Sequence, residues 1–249
     1  MKRIVEGCML AAACLAGCAK DQATEADYDD VAQALTAVVS TGNDGGEVGA
    51  LSDSVSIALG SSDLSIQASA AGKWKSSHLG LEYDYAISCK DGAGTKQDKC
   101  NKTTDSADVA VKWSGDLGLP HLTANVSRDG NWQLTKLQSD AAHLSGDSDF
   151  VLDAKVESLF RSVTRSYHVG YNAKYADVTF DLAARRITGG SATYSIDAER
   201  TATGPRRESE AQFSMDGLLT FAADGTATLT LDRSYTYKLY PATGVMVKQ

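Results

Sequence analysis

Three prolines, four histidines and three tryptophans are all that the 249 residues hold of those types, and five cysteines complete the scarce classes. Each shortage excludes something. Pro120, Pro205 and Pro241 all stand at the ends of patterned runs, where a missing N–H harms no strand ladder. His78, His121, His143 and His168 are scattered and build neither H-E-x-x-H nor any paired ligand spacing, so no metal and no cofactor is expected. Phosphate loop, dinucleotide fingerprint and EF-hand loop are absent. The nearest approach to a nucleophile elbow, Gly189-Gly190-Ser191-Ala192-Thr193, lacks the closing glycine, so catalysis is not expected. Acids outnumber bases by 32 to 24, a formal net charge of −8, which argues against nucleic acid and against a basic patch for anionic lipid.

What is present begins at the amino end. Lys2 and Arg3 precede an apolar segment, Gly7 to Ala16, that is too short for a bilayer crossing of about 20 residues and reads as an export signal. Leu15-Ala16-Gly17-Cys18 resembles the lipobox of bacterial lipoproteins, although Glu6 is an unusual acid in the basic segment. That resemblance implies removal of residues 1–17, diacylglycerol on the Cys18 thiol, acylation of the new amino terminus, and a membrane as partner through the lipid. Ala19 stands where an aspartate would favour the inner membrane, so the expected address is the outer membrane, facing periplasm or exterior. Cleavage takes away Lys2, Arg3 and Glu6 and leaves 22 bases against 31 acids, a net −9.

Cys8 and Cys14 leave with the signal, so Cys89 and Cys100 remain as free side chains of the exported part. Flanking Lys90-Asp91-Gly92-Ala93-Gly94, they are expected to close a surface hairpin loop as a disulfide; zinc would need two further ligands that the spacing does not supply.

Residues 18–26 read as a short tether and 27–59 as a helical hairpin. Asp27 is the expected cap, Asp29 and Asp30 favour the positive end of the first helix, and Val31, Ala34, Leu35 and Val38 form one stripe. Gly42 is the stop, 43–46 a turn, and Val48, Leu51, Val55 and Leu59 the stripe of the second helix.

The stretch 60–249 is expected to be an antiparallel β domain packed with those helices. From about Trp74 the period is 2: Tyr83, Tyr85 and Ile87; Val109, Val111 and Trp113; Phe150, Leu152, Ala154 and Val156; and so on to Tyr235, Tyr237 and Leu239. Asp129-Gly130, Gly189-Gly190, Asp216-Gly217 and Asp224-Gly225 read as hairpin turns. The fold class is therefore mainly β: an up-and-down antiparallel meander of about ten to twelve strands with an N-terminal helical hairpin, closed as a barrel or open as a half-barrel. This architecture resembles that of lipocalins and of the outer-membrane lipoproteins that receive lipoproteins in transit, in which a curved sheet under a helical lid encloses an apolar cavity.

Tyr83, Tyr85, Tyr167, Tyr171, Tyr194, Tyr235 and Tyr237 share the inward face, where phenols seek partners, and Tyr85, Tyr167, Tyr171, Tyr194 and Tyr237 are the candidate ligand residues. Arg161, Arg165, Arg185, Arg186, Arg200, Arg206, Arg207 and Arg233 are expected in cross-strand ion pairs on the wet face. The expected function is a lipid-anchored, non-enzymatic structural or binding module of the cell envelope. The alternative is a carrier or chaperone of hydrophobic molecules or lipids, and neither ligand nor protein partner is identified by any motif.

Overall fold

A computed structural model describes residues 21–40, 46–60, 66–78, 80–119, 122–157, 164–203 and 208–249. The signal, Cys18, Ala19, the Gly42 stop, most of the expected inter-helical turn, His121, Pro120, Pro205, Arg161, Arg206 and Arg207 lie outside those residues. Two helices, α1 (Glu25–Val39) and α2 (Gly46–Ala58), precede twelve strands: β1 (Gln67–Ala70), β2 (Lys73–His78), β3 (Leu81–Asp91), β4 (Thr104–Leu119), β5 (Leu122–Thr135), β6 (Ala141–Glu157), β7 (Thr164–Asp181), β8 (Arg186–Thr203), β9 (Glu208–Phe221), β10 (Ala227–Leu231), β11 (Tyr235–Tyr240) and β12 (Val245–Lys248). Each strand pairs antiparallel with its sequence neighbours, in the order β1 to β12. β1 and β12 are the two edges, so the meander is an open sheet and not a closed barrel.

Alternation is the cause of this arrangement. Along β9 the side chains run exposed and buried in strict turn from Glu210 to Phe221, and β3 does the same from Leu81 to Cys89. The inward set joins the apolar stripes of the helices in one core: Val31, Leu35 and Val38 from α1, Val48, Leu51 and Val55 from α2. α2 touches β3, β4 and β8 at once. Four strand spacings from β4 to β8 are about 19 Å when flat, against a helix about 10–12 Å across, so the sheet curls around α2. α1 lies beside it, against β10, β11 and β12.

The outward face is polar, with Lys75 paired to Asp84 at 3.1 Å, Lys90 to Asp108 at 2.8 Å and His168 to Asp153 at 2.6 Å. Its charges are the reverse of the apolar girdle that a membrane-spanning barrel turns to lipid. Cys89 and Cys100 form the expected disulfide, with Cα atoms 5.3 Å apart. Cys89 Sγ lies 3.9 Å from the Ala58 carbonyl oxygen, so the cross-linked loop braces the C-terminal end of α2.

Three expectations are corrected. Thr24, not Asp27, caps α1: its N–H and hydroxyl both donate to Asp27 Oδ2, at 2.8 and 2.7 Å, as in a capping box. Asp129-Gly130, Gly189-Gly190 and Asp216-Gly217 lie inside β5, β8 and β9; only Asp224-Gly225 makes a hairpin turn. At Gly130 and Gly217 the reason is steric: each points inward, and a Cβ would come within 3.2 Å of Trp132 Nε1 or 3.1 Å of Tyr194 Cβ. Arg165, Arg185 and Arg200, finally, reach the helices instead of pairing across the wet face, because helical acids and hydroxyls are within their span.

Candidate functional site

Strand register aligns the inward side chains in rows across the sheet. One row reads Tyr83, Trp113, Arg128, Phe150, Tyr171 and Ile196; the next, Tyr85, Val111, Gly130, Ser148, Ala173 and Tyr194; a third places Trp132 opposite Gly146, then Tyr175. The middle row is small where it passes Gly130, Ser148 and Ala173, which leaves room above them for the Arg128 side chain. A fully buried arginine thus stands among aromatic rings, its guanidinium carbon 5.0 Å from the Trp132 ring centre and 5.6 Å from that of Tyr175.

Its counter-charge comes from α2. Gly46 has φ +70 and abuts the Val38 carbonyl so closely that a Cβ would lie 2.1 Å from that oxygen; its N–H donates to the Tyr83 hydroxyl at 2.7 Å. Glu47, the next residue, is thereby aimed into the sheet. Its Oε1 pairs with Arg128 Nη2 and accepts the Tyr175 hydroxyl. Nη2 is also 2.8 Å from Ser148 Oγ and 2.9 Å from the Tyr175 oxygen. The side chains of Arg128 and Glu47 are only 1% and 7% exposed.

This pair is end-on and leaves much unsatisfied. Eight buried side-chain polar atoms lack a hydrogen-bond partner among the described residues. Seven belong to this cluster: Glu47 Oε2, Arg128 Nε and Nη1, the indole N–H groups of Trp113 and Trp132, and the hydroxyls of Tyr171 and Tyr194. Buried polar atoms in folded proteins are nearly always satisfied, so seven in one place mark a site with capacity to bind. Six of the seven are donors or hydroxyls, and the net charge of the Arg128–Glu47 pair is zero. Burial alone would lower the Arg128 pKa, but the Glu47 carboxylate outweighs it and the guanidinium is held more firmly charged. Burial first, then Glu47 and Tyr175 at Tyr171 and Tyr175 and Glu47 at Tyr194, pushes both hydroxyls well above the ordinary tyrosine range.

Around this centre the other inward phenols fasten the helices. The Tyr167 hydroxyl is shared between Asp27 (3.0 Å) and Asp30 (2.7 Å), and Arg200 and Arg165 pair with the same two acids at 2.5 and 2.9 Å. Tyr237 donates to Asp29 at 2.8 Å. On α2, Asp53 Oδ2 accepts Ser76 (2.6 Å) and Tyr85 (2.9 Å) and lies 3.0 Å from His78 Nε2. Serine, histidine and aspartate meet here, but Ser76 and His78 both address the same carboxylate oxygen, so the histidine is not placed to take the serine proton.

Of the five candidate tyrosines, the fold therefore joins Tyr171 and Tyr194 at the unsatisfied centre and gives Tyr85, Tyr167 and Tyr237 to the helix fastenings. Glu47, Arg128, Tyr175 and Asp53 were not legible as site residues. Arg128 carried a signal: it falls in phase with Val126, Trp132 and Leu134, an arginine on an apolar face. Asp129-Gly130 suits a turn equally well, which hides that phase. Comparison with family models, curated proteins and solved structures found no match for this chain.

Proposed function

We propose that the chain is a lipid-anchored protein of the cell envelope that works without catalysis, as a binding module whose ligand site is the inward centre around Arg128. The observation that carries this reading is the convergence of seven unpartnered, buried polar atoms on one aromatic-walled patch. Support for a non-catalytic role comes from the wiring of the inward acids, each engaged by tyrosine, arginine, serine or histidine donors from the sheet. Membrane attachment through Cys18 rests on the lipobox residues, and the outer membrane on Ala19. The carrier reading draws on the same face: a sheet that curls around a helix presents a trough of aromatic and aliphatic side chains wherever that helix withdraws.

Two measurements test the proposal. Radioactive palmitate should label the protein, and Cys18→Ala should abolish both label and membrane sedimentation; an unlabelled wild type would remove the anchor. Native mass spectrometry of protein released from membranes in mild detergent should reveal a non-covalent adduct. A bare protein mass would refute the binding site.

A further inference from the structure

We infer that Glu47 is an internal stand-in for the ligand, and that the site around Arg128 takes the anionic, multi-oxygen head group of an amphiphile such as a phospholipid. The inference rests on the binding-module reading and names the class of molecule bound. It starts from a mismatch in the hydrogen-bond inventory. A carboxylate offers two oxygens, and Glu47 presents only one of them to the arginine. Arg128 Nε and Nη1, two indole N–H groups and two phenols remain, more donors than any single carboxylate can serve. A phosphate diester or monoester brings more acceptor oxygens and matches the guanidinium fork.

The surroundings fit the remainder of such a molecule. Trp113, Phe150, Tyr171 and Tyr194 form a continuous wall of rings, with centres 5.7, 4.4 and 5.4 Å apart from one to the next. Such a wall suits an acyl chain beside a charged head. The occupant that yields is the first turn of α2. The other buried polar side chains of that helix are hydrogen-bonded, but Glu47 is buried with Oε2 unpartnered, which makes the docking of this first turn less favourable than a satisfied carboxylate would. Withdrawing Glu47 returns a carboxylate to water and frees the arginine for an anion from outside.

The test titrates the full-length, detergent-solubilised protein with phosphatidylglycerol and follows tryptophan emission, Trp113 and Trp132 being part of the site. Diacylglycerol supplies the tail without the phosphate, and inorganic phosphate supplies the anion without the tail. Phosphatidylglycerol should bind at least tenfold more tightly than either. Glu47→Gln, which removes the competing charge and keeps a hydrogen-bonding side chain, should tighten it further by about tenfold. Tyr171→Phe with Tyr194→Phe deletes two unpartnered hydroxyls, so this variant should fold as well as the wild type yet bind phosphatidylglycerol several-fold more weakly. Unchanged affinity in the double phenylalanine variant overturns the inference even if Glu47→Gln fails to fold. Diacylglycerol binding as tightly as phosphatidylglycerol overturns the anionic head group, and phosphate alone matching it overturns the amphiphile. A neutral lipid recovered by native mass spectrometry would leave the binding module standing and sink this inference alone.

Discussion

The two helices lie on the same inward face and are fastened to it in opposite ways. α1 meets the sheet at the rim, where Asp27, Asp29 and Asp30 are each matched by a tyrosine and by a cation: Arg200, Lys248 and Arg165 in turn. Arg200 Nε is the one buried side-chain polar atom without a partner there among the described residues. α2 is held at Asp53 by Ser76, Tyr85 and His78, but at its first turn it meets the centre of the sheet with one ion pair that is nearly dry and only half used. Chemistry of the same kind, carboxylate to tyrosine and arginine, thus serves as a completed joint under one helix and an incomplete one under the other. Satisfied polar networks fix a geometry, whereas unsatisfied ones hold free energy that a ligand can release.

The contrast is broken most forcefully at Glu47. Glu47→Ala leaves a charged Arg128 without compensation in the core and should cost about 3–5 kcal/mol in urea unfolding, as removal of one partner from a buried ion pair does. Glu47→Leu with Arg128→Met should restore most of that loss, since a packed apolar pair of similar volume is often neutral or better. A double variant as unstable as the single one would show that the pair is structural. Next comes the brace at the other end of α2: Cys89→Ser with Cys100→Ser should lower stability by about 2–3 kcal/mol in the chain-entropy account. The effect should appear as faster amide exchange around Ala58.

A phenylalanine scan sharpens the comparison. Tyr167→Phe takes a donor from two acids of α1 and should cost about 2 kcal/mol, the range for hydrogen bonds to charged groups. Tyr171→Phe removes a hydroxyl with no partner and should change stability by less than about 0.5 kcal/mol, or raise it. Equal costs at the two positions would erase the distinction between rim and centre.

The smallest effects are those of pH. Burial pushes the Asp27 carboxyl up, but hydrogen bonds from Thr24 and Arg200 outweigh it and hold the group below the ordinary value of 3.8. Its contribution is therefore complete above that value and is lost as the pH falls through the depressed one, so α1 should loosen only below about pH 4. The inward phenols behave oppositely. Burial first, then nearby acids, raises Tyr85, Tyr167, Tyr171 and Tyr194, so their contribution is full below pH 10 and fades as the pH climbs beyond it. Tyrosinate absorbance at pH 11 should contain no contribution from these four phenols.

Sequence patterning reached the meander, the two helices, the inward tyrosines and the disulfide, because each depends on periodicity or spacing within a few dozen residues. It left the choice between a closed barrel and an open half-barrel undecided, because the two edges β1 and β12 depend on what fills the curl and not on any strand by itself. It missed the centre. A glycine after an aspartate satisfies a hairpin turn and equally an inward position beneath a large neighbour, and only the unbroken phase from Val126 through Arg128 and Gly130 to Leu134 separates the two. Glu47 was unreadable for another reason: an acid in the first turn of a helix is ordinary there, and its partners are 81 and 128 positions away in sequence (Arg128 and Tyr175).

The seating of α1 against β10 to β12 has a consequence for biogenesis. Tyr28 bonds to Asp232 and Asp29 to Tyr237, across 204 and 208 positions. The ribosome makes the first helix long before the strands that receive it, so a nascent chain can zip its hairpins one after another, with α2 already against β3 and β4, while the stripe of α1 still waits for β10 to β12. Residues 227–249 then complete the seat of α1: a chain cut short before Ala227 would keep nine strands and the Tyr167, Arg165 and Arg200 contacts of α1 but lose those from Asp232, Tyr237 and Lys248.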